Sequence, residues 1–251
     1  MTEPYGWSTP FHTHGSNGEA AVLIHGFTGH PGHWLPLREN LAARGYTVVA
    51  PLLTGHGSDV RRLASSRWRE WVRAGTEAAL SVSDHRRVHL VGLSMGGMVA
   101  ILTAPRVAAA SLTTINTPIL LRDARAYLTP LVHRVRPWVS GREEPAPDPA
   151  LAHLWNPETM RSTAAIDQLL RIIWRGWREA GRLRRPALVI QSRSDAVVRP
   201  VSGRILARRL RGRLLWVDTH HNALLDPDRE IVHRAVAGHL AMITEGDGVA
   251  H

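Results

Sequence analysis

Cysteine and lysine are both missing from the 251 residues of this chain. A chain without cysteine forms no disulfide, offers no thiol nucleophile and holds no iron–sulfur cluster. Without lysine it cannot complete the phosphate-binding pattern G-x-x-x-x-G-K. The longest apolar run, residues 88–104, holds three glycines and a serine and is shorter than the roughly 20 residues that cross a bilayer. The first eight residues lack the features of a signal peptide, so we expect a cytoplasmic protein without stable membrane insertion.

Basic residues are abundant but dispersed. All 31 are arginine and they outnumber 21 acidic residues, which gives a formal net charge of +10. A nucleic-acid-binding surface usually gathers its cations along one helix or stripe. Here the short clusters, at residues 61–62, 182–185 and 208–213, lie next to predicted helix ends, where cations complement the helix dipole. We therefore expect no nucleic-acid partner.

Apolar strands and amphipathic helices alternate along much of the chain. Short apolar runs bounded by glycine or proline are typical of strands covered on both faces. The alternation predicts an α/β fold with a mostly parallel central sheet flanked by helices. The predicted strands are residues 20–24, 46–50, 88–91, 111–115, 187–191 and 214–217, and the predicted helices are residues 34–44, 66–82, 95–103, 201–210 and 229–242.

Residues 118–181 interrupt the alternation. This stretch holds seven prolines, four tryptophans and helical rather than strand-like runs. An insertion between two strands of one sheet is the simplest explanation. We predict a core formed by residues 1–117 and 182–251, with residues 118–181 as the insertion.

One serine stands at a junction between a predicted strand and a predicted helix, in the pattern Gly92-Leu-Ser-Met-Gly96. In this context G-x-S-x-G forms a nucleophile elbow, a turn so tight that bulk is excluded two residues before and after the serine. The turn raises the hydroxyl above the sheet edge, at the positive end of the following helix, where an oxyanion is favoured. We predict that Ser94 is a catalytic nucleophile.

An elbow serine needs an acid and a histidine, and the chain order Ser, acid, His restricts where they lie. The acid should follow a late strand, as Asp195 does. Asp218 also stands at a strand end but lies too close to the candidate histidines to be preferred. Asp123 and Asp167 lie in the insertion and are expected to be solvated charges on helices, and Asp226 and Asp228 are expected in the first turn of the last helix.

The histidine should follow the last predicted strand, where His220 and His221 are neighbours. Either imidazole could serve as the general base, and their positions alone do not decide between them. Oxyanion donors should come from the loop after an early strand and from the start of the helix that follows the serine. We predict the backbone N–H groups of Phe27 and Met95.

Five stretches of the chain resemble, in order, the α/β-hydrolase family of bacterial carboxylesterases and monoacylglycerol lipases. The resemblance runs from about residue 20 to residue 243. That family commonly has Ser-Gly-His with Leu-Asp a few residues later, so the match places the catalytic histidine at His221 and puts His220 where the glycine is usual. The five stretches are His-Gly-Phe-Thr-Gly (25–29), Pro-Leu-Leu-Thr-Gly-His-Gly (51–57), Gly-Leu-Ser-Met-Gly-Gly (92–97), Gln-Ser-Arg-Ser-Asp (191–195) and His221 with Leu225-Asp226.

The resemblance implies an esterase that uses a Ser94–His221–Asp195 triad, an acyl-enzyme intermediate and no cofactor, with a small-molecule ester or lipid as substrate. It also implies that residues 118–181 form a helical cap over the serine. Six cap residues are predicted to line an acyl pocket, with the cap's own core as the alternative for each. They are Leu120, Leu121, Tyr127, Leu128, Leu131 and Trp138.

Two other functions stay open on the residues alone. A thioesterase or lactone hydrolase would use the same triad, and a ligand-binding protein can keep a hydrolase fold without turnover. Metal binding is not expected. His12, His14, His30 and His33 have short His-x-His and His-x-x-His spacings, but they fall in predicted loops without supporting cysteine or carboxylate ligands.

Overall fold

A seven-stranded sheet forms the centre of the chain in the computed structural model, which describes residues 8–57, 59–141, 148–155 and 160–246. Residues 1–7, from which the cytoplasmic location was expected, lie outside the described residues. The strands are β1 (Phe11–Thr13), β2 (Glu19–Ile24), β3 (Thr47–Ala50), β4 (Arg87–Leu93), β5 (Ser111–Ile115), β6 (Trp138–Ser140), β7 (Met160–Ser162), β8 (Ala187–Ser192) and β9 (Arg213–Val217).

Eight α-helices accompany these strands in the described part of the chain. They are α1 (Leu35–Ala42), α2 (Val60–Ser65), α3 (Trp68–Leu80), α4 (Met95–Thr103), α5 (Thr129–Val132), α6 (Thr163–Ala180), α7 (Val201–Leu210) and α8 (Arg229–Gly246). Short 3-10 helices cover Pro31–Trp34, Ala104–Arg106, Ala124–Leu128 and Pro149–Leu154. Within the described ranges, no helix is both long enough and apolar enough to cross a bilayer.

The strand order in the sheet is β1-β3-β2-β4-β5-β8-β9. Only the β1–β3 pair of this sheet, as described, is antiparallel, and the other neighbours are parallel. The predicted α/β fold class and all six predicted strands are therefore confirmed. Strand β1 was not predicted, because three residues at a sheet edge carry too little apolar pattern to be recognised.

Both faces of the sheet are covered, because alternate residues of each strand point to opposite sides. In β2, Val22 and Ile24 belong to one buried apolar cluster, together with residues of α3, α4 and α6. Leu23 belongs to the cluster on the other face, with residues of α1 and α8. The covered sheet leaves its edges and strand ends as the places where polar side chains can meet.

The predicted insertion contains two kinds of structure. Strands β6 and β7 form a small antiparallel pair of their own, and α5 precedes them. The expectation of helical runs alone was wrong here, because three-residue strands carry too little pattern to be recognised. Helix α6, in contrast, packs directly on α4, where Gly176 lies against Met98. Its buried Ile172 joins the same apolar cluster as the core helices. The division into core and cap stays a prediction.

Candidate active site

Ser94 occupies a sharp turn between β4 and α4. Its backbone angles are φ 52° and ψ −121°, a conformation in the left-handed half of backbone space that L-residues rarely adopt. A Cβ on Gly92 would collide with the backbone of Gly96, and a Cβ on Gly96 would collide with the carbonyl of Ile24. Neither position has room for a side chain, so both must be glycine, as the elbow pattern predicts. The Ser94 N–H donates to the Ile115 carbonyl of the neighbouring strand at 2.7 Å, which anchors the turn.

Ser94, His221 and Asp195 form a continuous chain of hydrogen bonds. The Oγ of Ser94 lies 3.1 Å from Nε2 of His221. The Nδ1 of His221 lies 2.9 Å from Oδ2 of Asp195. Ser94 and His221 are 8% and 9% exposed to solvent, whereas Asp195 is completely buried. The arrangement suits proton transfer from the hydroxyl to an imidazole held by a carboxylate.

Parallel strand order brings these residues together. Ser94 follows β4, Asp195 follows β8 and His221 follows β9, and the carboxyl ends of parallel strands meet at one edge of the sheet. The loop after β8 holds the carboxylate in place: Oδ1 of Asp195 accepts hydrogen bonds from the backbone N–H groups of Val197 and Val198, both at 2.8 Å.

The loop that follows β2 lies against the serine. An added Cβ at Gly26 would stand 3.3 Å from Cβ and 3.9 Å from Oγ of Ser94, so the backbone of Gly26 passes beside the serine side chain. His25 holds this loop. Its Nε2 accepts from the Leu53 N–H at 3.0 Å, and its Nδ1 donates to the Gly26 carbonyl at 2.9 Å. Met95 is the first residue of α4, where N–H groups have no partner within the helix.

Four buried histidines lie in or beside that loop, and burial lowers the pKa of each. Burial, followed by the proximity of His56, lowers the pKa of His25 well below its usual range. Burial lowers the pKa of His30 and of His56 to about 4, and it lowers that of His33 well below the usual range. Across the part of the chain that the structure describes, no three histidine, aspartate or glutamate side chains are placed to share a metal ion.

The alternative acid and base candidates lie elsewhere. His220 is half exposed and its Nδ1 lies 2.8 Å from Oδ2 of Asp226, not beside Asp195. Asp226 was expected in the first turn of the last helix, but α8 begins at Arg229, and Asp226 instead accepts from the His220 N–H at 2.7 Å. Asp218 is exposed and lies 3.5 Å from Arg193.

The two aspartates of the insertion have structural partners. Asp123 caps the 3-10 helix Ala124–Leu128 by accepting from the Arg125 N–H. Asp167 lies on α6 and accepts from Arg171 at 2.7 Å, but it is buried rather than solvated as expected.

The six predicted pocket residues differ in exposure. Leu121 is buried and pairs with Val198 beside the acid loop. Leu131 is 81% exposed and Leu128 is 55% exposed. Leu120 and Tyr127 are also exposed, and Trp138 on β6 is half-buried. Their role in a pocket stays a prediction.

Two residues that were not predicted from the sequence, Asn116 and Arg122, form hydrogen bonds that hold the site together. Asn116 follows β5, the strand between those that carry Ser94 and Asp195, and it bonds to the loops of the acid and the histidine. Arg122 donates from Nε to the Asp195 carbonyl at 2.7 Å. A polar residue placed directly after a predicted parallel strand was the available signal for Asn116, because the other site residues share that position.

Comparison with known proteins agrees with the fold. The model of the alpha/beta hydrolase family matches residues 21–235. The chain therefore belongs to the alpha/beta hydrolase family, which confirms the family resemblance recognised in the sequence.

Several relatives and solved structures that match nearly the whole chain are named as lipolytic enzymes or esterases. The thermostable monoacylglycerol lipase of Bacillus sp. (strain H-257) is 28% identical, with 92% of this chain and 95% of the relative covered. A carboxylesterase of Bacillus subtilis (strain 168) is 24% identical, with 87% and 90% covered. A solved structure from work on the metagenome-derived lipolytic enzymes LipS and LipT gives a TM-score of 0.85 at 27% identity, with 96% and 98% covered.

Proposed function

We propose that this chain is a serine hydrolase of carboxylic esters, with Ser94 as nucleophile, His221 as general base and acid, and Asp195 as the residue that orients His221. The observation that carries the proposal is the unbroken hydrogen-bond chain of 3.1 Å and 2.9 Å, which ends on a serine held at positive φ. Membership of a hydrolase family and two whole-length relatives named as a lipase and a carboxylesterase support it.

The first half of the reaction acylates the serine. His221 takes the Ser94 proton on Nε2 while Oγ attacks the ester carbonyl carbon. The tetrahedral oxyanion is bound by the backbone N–H groups of Phe27 and Met95, and losing one such donor typically costs about 3 kcal/mol of transition-state stabilisation. The protonated His221 then gives its proton to the leaving alcohol, and an acyl-Ser94 ester remains.

The second half repeats these steps with water as the nucleophile. His221 removes a proton from water, which attacks the acyl carbon, and it returns the proton to Oγ of Ser94 as the carboxylic acid leaves. Asp195 orients His221 and stabilises the imidazolium in both halves. The reaction as written needs no cofactor.

For the substrate we propose short to medium acyl esters or monoacylglycerols. The named activities of the two relatives favour this class. The segment between β5 and β8, residues 118–181, would act as the cap, with apolar residues such as Leu121 lining the acyl pocket. An apolar wall with few polar groups suits an acyl chain.

The test compares wild type and Ser94→Ala with nitrophenyl esters of two, four and eight acyl carbons and with a monoacylglycerol. Ser111→Ala is the matched control, because Ser111 is also buried and also hydrogen-bonded to a histidine. We expect Ser94→Ala to lose about 10⁴-fold or more in kcat, and the control to keep wild-type activity.

A fluorophosphonate should label wild type and the control with one group per chain and leave Ser94→Ala unlabelled. Equal hydrolysis by wild type and Ser94→Ala would contradict the proposal. Cleavage of acyl thioesters or lactones without cleavage of oxygen esters would assign the same triad to the alternative reactions.

A further inference from the structure

Asn116 lies between the loops that carry the proposed acid and base. It follows β5, which is next to β4 on one side and β8 on the other, and its side chain is fully buried. Its backbone has φ 46°, a conformation in which asparagine is enriched among non-glycine residues. The Asn116 N–H donates to the Ile190 carbonyl at 2.9 Å, so the backbone of this residue is fixed to β8.

All hydrogen-bonding directions of the Asn116 amide are used, and the partners come from two places: the end of β8, just before the acid loop, and the histidine loop after β9. Oδ1 accepts from the Ser192 N–H at 2.7 Å and from Nε2 of Gln191 at 3.2 Å. Nδ2 donates to the His221 carbonyl at 2.8 Å and to the His220 carbonyl at 3.2 Å. The backbone partners fix the orientation of the amide, since N–H groups face the oxygen and carbonyls face the nitrogen.

We propose that Asn116 is a positioning residue that sets the distance between Asp195 and His221. The inference rests on the proposed function, since it matters for catalysis only if those two residues act together. Gln191 extends the connection on the acid side, with Nε2 3.5 Å from Oδ2 of Asp195. One side chain thus joins the start of the acid loop to the backbone of the proposed base.

The proposal depends on the amide chemistry of Asn116. The site needs two acceptor directions toward the acid loop and two donors toward the histidine loop, and a terminal amide supplies both. An ionised carboxylate of the same shape accepts on both sides, so it would repel the carbonyls of His220 and His221. A protonated carboxyl group replaces one of the two donated bonds. The effect of Asn116→Asp must therefore depend on pH.

The test measures kcat and KM of wild type, Asn116→Asp and Asn116→Ala over a range of pH. Thr114→Val is the matched control, because Thr114 is buried on β5 two residues before Asn116 and its hydroxyl has no hydrogen-bond partner among the described residues. We expect kcat of Asn116→Asp to fall on the order of 100-fold at high pH, with KM little changed. The deficit relative to wild type should shrink as pH falls and the new carboxyl takes up a proton.

A second measurement needs no substrate. The proton between Nδ1 of His221 and Asp195 gives a downfield NMR resonance when the two groups are held close. We expect this resonance in wild type and Thr114→Val, and its loss or broadening in both Asn116 variants while circular dichroism shows them folded. If wild type shows the resonance but cleaves no ester, the proposed function fails. The loss of the resonance in the Asn116 variants then still tests whether Asn116 holds Asp195 and His221 together.

Two outcomes would overturn the inference. One is a folded Asn116→Asp whose kcat ratio to wild type does not change with pH and whose downfield resonance is retained. The other is an equal loss of kcat in Thr114→Val, which would show a general sensitivity of β5. If Asn116→Ala does not fold, the Asn116→Asp profile alone decides.

Discussion

Two chains of carboxylate, imidazole and hydroxyl lie at opposite ends of the same sheet. At the carboxyl ends of the strands, Asp195, His221 and Ser94 are joined at 2.9 Å and 3.1 Å. At the amino ends, Oε2 of Glu19 lies 3.1 Å from Nε2 of His89, and Nδ1 of His89 lies 2.8 Å from Oγ of Ser111. The residue types and distances match so closely that they cannot by themselves distinguish a catalytic site from a structural network.

The backbone and the surroundings distinguish the two chains. Ser111 belongs to a regular strand, pairs directly with His89 and is completely buried. Ser94 stands at positive φ, at the start of a helix, beside the loop of Gly26 and Phe27. A nucleophile needs access and nearby oxyanion donors as well as a base, and the elbow provides the turn that brings them together.

The carboxylates of Glu19 and Asp195 also differ in the groups that contact them. Burial alone would raise the pKa of Glu19, but hydrogen bonds from Thr244, His89 and Arg87 outweigh it and lower that pKa. Arg86 adds a second guanidinium, 2.6 Å from Oε1. Glu19 therefore stays charged and connects β2, β4 and α8. The carboxylate of Asp195, in contrast, is held by two backbone N–H groups and the imidazole of His221.

The largest contrast is expected when each histidine is replaced by glutamine. His221→Gln removes the proposed base, and kcat/KM for a nitrophenyl ester should fall by about 10⁴-fold or more. His89→Gln should leave kcat/KM per folded molecule unchanged and lower the free energy of unfolding instead, since it disturbs a buried polar network. Both are measured by ester hydrolysis together with urea denaturation.

His220→Ala is the control for the choice between the neighbouring histidines, and it should stay active. An inactive His220→Ala beside an active His221→Ala would move the base by one residue. A His89→Gln variant that is folded but inactive would show that the two ends of the sheet are coupled.

Acid should weaken both ends of the sheet through their buried histidines. Burial lowers the pKa of His56 to about 4 at the carboxyl end, and burial, followed by the charges of His89 and Arg213, lowers that of His239 to about 4 on α8. The unfolded chain takes up these protons near pH 6.5, the ordinary pKa of histidine, whereas the folded chain takes them up only near pH 4. Stability is therefore full above about pH 6.5 and declines as pH falls toward 4, by up to about 1.4 kcal/mol per pH unit for each histidine.

Urea denaturation across this pH range measures that decline. His56→Gln and His239→Gln remove one titrating group each, from opposite ends, so each should reduce the slope of unfolding free energy against pH. The slope should stay as in wild type if the imidazoles titrate alike in the folded and unfolded chain.

The parts of the fold that could be predicted are those encoded locally. The alternation of apolar runs identified the six main strands, and the glycines around Ser94 identified the elbow, because the tight turn permits nothing larger. Helix α2 and strand β1 were missed, since six and three residues carry too little periodicity. The choice of His221 over His220 needed the family resemblance.

Long-range polar contacts could not be predicted. Asn116 meets residues 76 and 105 positions later in the chain, and Glu19 meets His89 across 70 positions. Such pairs depend on strand order, which the alternation leaves open. The hydrogen bonds among Glu19, His89 and Ser111 are an example, because Ser111 belongs to no recognised motif and His89 lies within strand β4.

The smallest effect is expected from Ser111→Ala. The variant removes one hydroxyl from a fully buried hydrogen bond to His89, and such a bond contributes about 1 kcal/mol to stability. The free energy of unfolding should fall by about that amount, while ester hydrolysis and fluorophosphonate labelling stay as in wild type. A loss of labelling would mean that the hydroxyl buried at the amino ends is the reactive one, whereas an intact rate assigns reactivity to the strained turn at Ser94 rather than to the hydrogen-bonded residue types that both ends share.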